Sequence, residues 1–377
     1  MKRIRNLAVV GVLTLAVLIG LALVFRAQWM GLMGLNLDAG TGGEATLTVP
    51  DGYEAHVFAA GLSGPRLMAT SPDGTLFVAE RGADRVVALP DGDGDGRADA
   101  TVVVGTGYGG PNAVAFDADG SLLVAADATI WRVRLGVDTV ETSRDALLAD
   151  LPLGGHSSKT VLPLPDGRML VSIGSSCNAC VEEDERRAAV SILEPGHREL
   201  VPYAIGLRNA VGLWLDPDTG RAWATVMGRD LLGDDRPPET IHELTDGLDA
   251  GWPRCHAGDQ PDPEFGTAPD ACEGVAVPAV ELPAHTAPLA LVGWEDHLVV
   301  ALHGSWNSST KVGYSVVWLP WDGAPAGAVS DLVTGFLPAG ATDALGRPAG
   351  LAVGGDGALY VSDDKAGFIY RIARAGG

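Results

Sequence analysis

Four short polar clusters in this sequence hold groups able to move a proton or grip an anion. His156 stands in Leu153-Gly-Gly-His-Ser-Ser-Lys159, and Arg208 and Asn209 stand in Ile205-Gly-Leu-Arg-Asn-Ala-Val-Gly212. His303, Trp306 and Asn307 share the stretch His303-Gly-Ser-Trp-Asn307, and Arg347 lies in Gly346-Arg-Pro348. Imidazole is the side chain best suited to accept a hydroxyl proton near neutral pH, and guanidinium the one best suited to a carboxylate. A fifth signal is Asp91-Gly-Asp-Gly-Asp-Gly-Arg-Ala-Asp99. Asp91, Asp93, Asp95 and Asp99 match the first, third, fifth and ninth places of a calcium loop, whose hard oxygen ligands converge as the chain curls. Val102 stands where the bidentate Glu would be, so a structural calcium loop competes with a solvated acidic turn.

These clusters recur in step with an internal repeat. Ser71-Pro-Asp-Gly-Thr-Leu-Phe-Val-Ala-Glu80 is echoed around Asp119, Asp166, Asp218, Asp296 and Asp356, which makes six copies. Each copy is an Asp-Gly-type turn leading into a short apolar strand, a hairpin signal. Spacings run from 46 residues (73 to 119) to 78 (218 to 296), enough for one four-stranded blade each, with an insertion after the fourth copy. The expected fold is therefore all-β: a six-bladed β-propeller over residues 46–377. His156, Arg208, His303 and Arg347 each fall just before or after a blade's first strands, so one polar cluster per blade faces a shared axis. Trp131, Trp214, Trp223, Trp318 and Tyr370 fall within strand-like runs and are assigned to packing between blades.

With 51 Gly and 24 Pro in 377 residues the chain suits many tight turns, and a net charge of −22 repels a polyanion, which excludes nucleic acid as a partner. Lys2, Arg3 and Arg5 precede an uncharged run from Leu7 to Phe25. As a helix that run covers roughly 28 Å, the thickness of a hydrocarbon core. The expectation is one N-terminal transmembrane helix (residues 1–26), a linker (27–45), and a propeller exported to the periplasm or its equivalent. Export agrees with the cysteines, for which the simplest pairing is Cys177–Cys180 and Cys255–Cys272. Val181 stands where a c-type haem motif needs His, so electrons would leave to a separate carrier, a cytochrome or a membrane quinone.

At these clusters the chain resembles the pyrroloquinoline-quinone-dependent sugar dehydrogenases, in the L-sorbosone dehydrogenase branch related to soluble glucose dehydrogenase. The resemblance rests on Gly155-His-Ser-Ser-Lys159, Gly174-Ser-Ser-Cys-Asn-Ala-Cys180, Gly206-Leu-Arg-Asn-Ala-Val-Gly212, Gly228-Arg-Asp-Leu-Leu-Gly-Asp-Asp235, Gly251-Trp-Pro253, His303-Gly-Ser-Trp-Asn307 and Gly346-Arg-Pro348. It implies pyrroloquinoline quinone (PQQ) and Ca²⁺ as cofactors and a small sugar as substrate. His156 matches the catalytic base, Arg208 and Asn209 the pair on the quinone oxygens, and Arg347 the guanidinium on a cofactor carboxylate. Gly228 and Arg229 match the backbone carbonyls that hold calcium. Lys159 stands where the branch usually has Arg, and His303, Trp306 and Asn307 replace the lysine segment of the glucose enzymes.

Two departures narrow the expectation. Gly155 stands where the glucose enzymes place an Asp beside the base, which removes a substrate-orienting carboxylate, and Arg229 stands where they place Pro. Two other readings compete: a calcium-dependent propeller hydrolase of lactonase type, with axial carboxylates and no organic cofactor, and a non-catalytic propeller presenting loops to a partner. The cations Lys159, Arg208, Arg229 and Arg347 discriminate, because a tricarboxylate cofactor needs them and a lactonase does not.

Overall fold

The computed structural model describes residues 43–376. The expected membrane span and linker residues 27–42 lie outside them. Residues 43–45, assigned to the linker by sequence, already belong to the propeller: Ala45 is buried and its amide donates to the Tyr370 hydroxyl at 3.2 Å.

Among the described residues, six sheets form the blades, each with four antiparallel strands, and the sheet of blade 3 carries a fifth, parallel strand. Their innermost strands are Pro65–Thr70, Ala113–Phe116, Lys159–Pro163, Asn209–Leu215, Pro288–Trp294 and Pro348–Val353, for blades 1 to 6. Each inner strand contacts the next, and the sixth contacts the first, so they close a ring about the axis. The ring is locked by Tyr53–Ala59, which pairs antiparallel with Phe368–Arg374 as the outer strand of blade 6. Every Asp-Gly-type turn of the repeat joins the first and second strands of its blade. Second strands, covered on both faces by neighbouring blades, are buried along nearly their whole length and mostly apolar where an exposed sheet would alternate. Leu76–Glu80, for example, is buried at all five positions.

Packing follows from that stacking. Trp223 and Trp321 meet edge-on at 4.8 Å and Trp214 meets Trp321 at 5.7 Å between blades 4 and 5. Tyr53 contacts Trp318 at 5.7 Å and Phe336 contacts Tyr370 at 5.7 Å, as the packing assignment required. On the axis, each inner strand contributes one side chain to a common apolar layer: Leu67, Ala113, Val161, Val211, Leu289 and Ala349. One or two residues before them, in five of the six blades, stand Arg66, Asn112, Thr160, Asn209 and Arg347, so a polar rim sits on an apolar floor.

Alternate loops of a meander lie at opposite ends. The rim, the starts of the inner strands and the loops after the second strands share one face, opposite the Asp-Gly turns. The insertion after the fourth copy leaves blade 4 at Leu244, pairs Leu248–Asp249 in parallel with blade 3, and forms a hairpin between Cys255–His256 and Gln260–Pro261. The disulfides are Cys177–Cys180 and Cys255–Cys272, the pairing expected from sequence.

Candidate active site

His156 lies on the loop that leads into blade 3, half-buried, with its amide donating to Ser175 O at 2.9 Å. Its Nδ1 lies 2.8 Å from Ser175 Oγ and 3.3 Å from Ser175 O. The Ser175 hydroxyl donates its own proton to Cys177 O at 2.7 Å. Both neighbours of Nδ1 are therefore acceptors, so Nδ1 carries the ring proton and the lone pair resides on Nε2. Nε2 has no partner among the described residues and is not sealed from solvent. Burial, and then the Arg208 charge, push the imidazole down to about 3, so it is neutral across the physiological range. The near-neutral value expected from sequence is corrected here, because sequence does not reveal how far the ring is buried beside a cation.

The backbone around His156 leaves no room for a larger neighbour. Gly155 has φ +61°, and a Cβ there would lie 2.4 Å from Ser175 O and 2.6 Å from Ser176 Cα. The glycine at this position is thus imposed by the crossing of two loops. Arg187 ties the same loop down, donating to Leu153 O, to Gly154 O at 3.2 Å and to Gly174 O at 3.3 Å. Lys159 does likewise: it is fully buried, with Nζ donating to Pro152 O at 3.0 Å and Ser157 O at 2.8 Å. Burial lowers its ammonium to about 8. Lys159 accordingly supports the His156 loop from beneath instead of presenting its charge to the channel.

Arg208 opens blade 4 with its side chain 3% exposed. It donates from Nε to Asn178 O and from Nη2 to Asn178 Oδ1 and Asp230 Oδ2, each at 2.9 Å. Beside it, Asn209 Oδ1 is buried without a hydrogen-bond partner among the described residues. Gly228 donates its amide to Glu239 Oε2 at 2.6 Å, while the Arg229 side chain turns to Asp262 at 2.6 Å and Glu264 at 3.0 Å on the insertion. Burial pushes the Glu239 carboxyl up to about 7.

Across the axis, His303 follows the second strand of blade 5 and points Nε2 at Asp364 of blade 6, 2.9 and 3.0 Å from its two oxygens. Burial, then Arg347, lower His303 to about 4. Burial alone would raise Asp364, but His303, Arg66 and Arg347 outweigh it and hold the carboxyl well below the usual range. Neutral His303 therefore donates to an ionised Asp364. Arg347 donates from Nε to His303 O at 3.0 Å and from Nη2 to Gly304 O at 2.9 Å. Trp306 is 49% exposed, and both polar atoms of the neighbouring Asn307 side chain are sealed without a partner among the described residues.

Several rim groups escaped the sequence reading. Arg66 bridges Asp364 at 2.6 Å and Asn112 at 3.2 Å, and Asn112 Nδ2 continues to Lys159 O at 3.1 Å, which links blades 6, 1, 2 and 3. The signal was present: Gly64-Pro-Arg66 and Gly110-Pro-Asn112 occupy the place of Gly346-Arg347 in their own repeats. Ser175, Asn178, Asp230 and Arg187 sit in loops outside the repeat and had no such marker.

The acidic loop is elsewhere. It joins the third and fourth strands of blade 1, hence lies on the face opposite the rim. Asp91, Asp93 and Asp95 have oxygens within 4.8 Å of one another, whereas Asp99 Oδ2 accepts from Gly92 N at 2.6 Å and stands outside that group.

The rim fits an anionic, polar ligand. It combines guanidinium groups with buried atoms that have no partner among the described residues, Asn209 Oδ1 and both polar atoms of the Asn307 side chain, and its floor is apolar. Fold and site together define a six-bladed propeller that gathers guanidinium and amide side chains at one rim beside a neutral imidazole. The chain belongs to the TrAA12-like family, whose pattern it matches over residues 47–243 and 254–375. It is 26% identical to the pyrroloquinoline quinone-dependent pyranose dehydrogenase of Coprinopsis cinerea, over 88% of this chain and 55% of that protein. An uncharacterized protein of Borreliella burgdorferi is 30% identical over 58% of this chain and 60% of its own length. The chain thus spans 55% to 60% of the curated relatives named here. The holo form of the pyranose dehydrogenase PQQ domain from Coprinopsis cinerea shares the fold, with a TM-score of 0.79 at 24% identity over 88% of this chain and 98% of that one.

Proposed function

We propose that this chain is a pyrroloquinoline-quinone-dependent dehydrogenase that oxidises a sugar, either an aldose or pyranose or a sorbosone-like aldehyde, by hydride transfer to the quinone. The observation that carries the reading is the fixed tautomer of His156, which leaves the lone pair on Nε2 of a ring that lies within the influence of the Arg208 charge. When bound, the quinone supplies a two-electron acceptor. Arg208, Asn209 and Arg347, with His303, Trp306 and Asn307, would hold it on the apolar floor. Lys159 contributes by fixing the His156 loop. Main-chain carbonyls at Gly228 and Arg229 would hold Ca²⁺, and the turn of the Arg229 side chain toward Asp262 leaves the channel free of that charge.

The residues act as follows. A substrate hydroxyl docks against His156, which accepts its proton at Nε2 while the Ser175 hydroxyl holds the opposite nitrogen. Arg208 lies close enough to favour negative charge on the substrate oxygen as the proton leaves. Burial and Arg208 keep His156 neutral, so its lone pair is present at the start of each turnover.

The reading includes an N-terminal membrane anchor with the propeller outside the cytoplasm, and a separate electron acceptor, a cytochrome or membrane quinone. The hydrolase alternative is less well supported: the axial carboxylates Asp364, Asp230 and Glu239 are each engaged by a cation or an amide. The test is reconstitution of the full chain with quinone and Ca²⁺, followed by dye reduction over a panel of sugars. Turnover that requires the quinone supports the proposal. Substrate conversion that follows Ca²⁺ alone, with no quinone, overturns it in favour of hydrolysis.

A further inference from the structure

The loop after the second strand of blade 3 contains a small ring closed by Cys177–Cys180. Its residues touch both functional groups of the site. Cys177 O accepts the Ser175 hydroxyl at 2.7 Å and so fixes the oxygen that holds His156 Nδ1 at 2.8 Å. Asn178, inside the ring, accepts from Arg208 through both its main-chain and side-chain oxygens at 2.9 Å. Its side chain also bridges blade 4, with Oδ1 accepting from Asp230 N at 2.8 Å and Nδ2 donating to Asp230 O at 3.0 Å. Asp230 in turn holds Arg208 Nη2 at 2.9 Å. Arg208 has φ 25°, a conformation uncommon outside glycine, so these bonds hold a backbone that would otherwise relax.

We propose that the Cys177–Cys180 ring is a positioning element that aims His156 and Arg208 together, with Asn178 as its principal residue, and that a dithiol disengages both groups by opening it. The effect on catalysis rests on the dehydrogenase reading, but the effect on the ring does not. Cys177 and Cys180 are both partly buried, whereas in the second disulfide Cys255 is fully buried and only Cys272 is partly buried, so a reductant can reach both sulfurs of the first bond and one of the second. In the opening step the S–S bond takes two electrons and two protons and becomes two thiols, while the dithiol becomes a disulfide. Freed of the ring, the 177–180 segment regains backbone entropy that opposes the bonds to Arg208 and Asp230.

The test treats the full-length protein with a mild dithiol and maps thiols by alkylation, expecting Cys177 and Cys180 to react and Cys255 and Cys272 to remain joined. Amide exchange on the cofactor-free protein should then rise at least about tenfold at Asp230 and at Ser175, whose amide donates to Arg208 O at 2.7 Å, while blade strands keep their protection. Asn178→Ala should reproduce the Asp230 change without reductant, and Asn178→Asp, which keeps the acceptor oxygen, should give a smaller one. Quinone affinity should weaken about tenfold on reduction and return on reoxidation of unalkylated protein. A dithiol that leaves the ring closed overturns the redox half of the inference, and the Cys177→Ser/Cys180→Ser double variant then decides on the positioning role in the same measurements. Unchanged exchange and unchanged quinone affinity with the ring open overturn the inference. Should untreated protein take up no quinone, the dehydrogenase reading fails instead, and exchange at Asp230 and Ser175 alone decides on the ring.

Discussion

Ser175→Ala isolates the orientation of the base from its presence. The substitution removes one hydroxyl from a fully buried position and leaves the imidazole of His156 intact. It deletes the 2.8 Å bond to Nδ1 but leaves the longer 3.3 Å contact to Ser175 O, so the correct tautomer is weakened, not abolished. A neutral hydrogen bond is worth about 0.5–1.5 kcal/mol net, which corresponds to a loss of roughly two- to tenfold in kcat. Removing the base itself, in His156→Ala, should cost about 10²–10⁴-fold. Quinone affinity should move less than about twofold in both variants, because Arg208 and Arg347 are untouched. The assay is steady-state dye reduction of the reconstituted full chain, with quinone binding measured separately. Loss in Ser175→Ala equal to that in His156→Ala, or equal loss of quinone in both, would refute the assignment of His156 as an oriented base. A second readout is imidazole NMR on the cofactor-free protein: with burial and Arg208 holding the ring at about 3, His156 should show no titration between pH 5 and 8.

Three further outcomes are expected. Gly155→Asp, which restores the carboxylate of the glucose enzymes, should destabilise by about 2–5 kcal/mol through its left-handed backbone and the clash with residues 175–176, and a loss under about 1 kcal/mol on chemical denaturation would contradict the steric argument. Lys159 titrates at about 8 in the folded chain, below its unfolded value, so the unfolded state binds more protons between about pH 8 and 10.5 and wild-type stability rises with pH there; relative to Lys159→Met it should gain about 3 kcal/mol across that window, and parallel pH profiles would show that burial does not depress this ammonium. Loss of the disulfide in Cys255→Ser/Cys272→Ser should cost about 3 kcal/mol for its 17-residue separation, chiefly at the insertion, and denaturation unchanged from wild type would show that Arg229 and Asp262 suffice to hold it.

Much of the fold was legible because a propeller is built from one hairpin repeated. Asp73, Asp119, Asp166, Asp218, Asp296 and Asp356 mark the same turn in successive blades, and a second strand buried on both faces writes itself as a mostly apolar run without alternation. The candidate site was legible to the extent that it obeys the same repeat: Arg208, Asn209 and Arg347 were found by place, and Arg66 and Asn112 share that place. The limit was reached at Asp364 and Asp230, whose partners Arg66 and Arg208 lie 298 and 22 residues away in sequence.

The sequence by itself determined the number of blades, the packing role of the aromatics and the cluster of polar residues at the starts of inner strands, because each depends on local pattern or spacing, whereas for the cysteines it offered only the simplest of three pairings. Only the tertiary structure decided what those polar groups do. Lys159 and Arg187 became struts for a loop, Arg229 turned to the insertion, and Asp99 left its acidic companions, since charge assignments depend on which neighbours burial brings within hydrogen-bond reach. The proton on His156 is the sharpest case. Its tautomer follows from Ser175 and Cys177 O, on a second loop of the same blade, and its low proton affinity from burial and from Arg208 of the next blade, neighbours that only folding brings together.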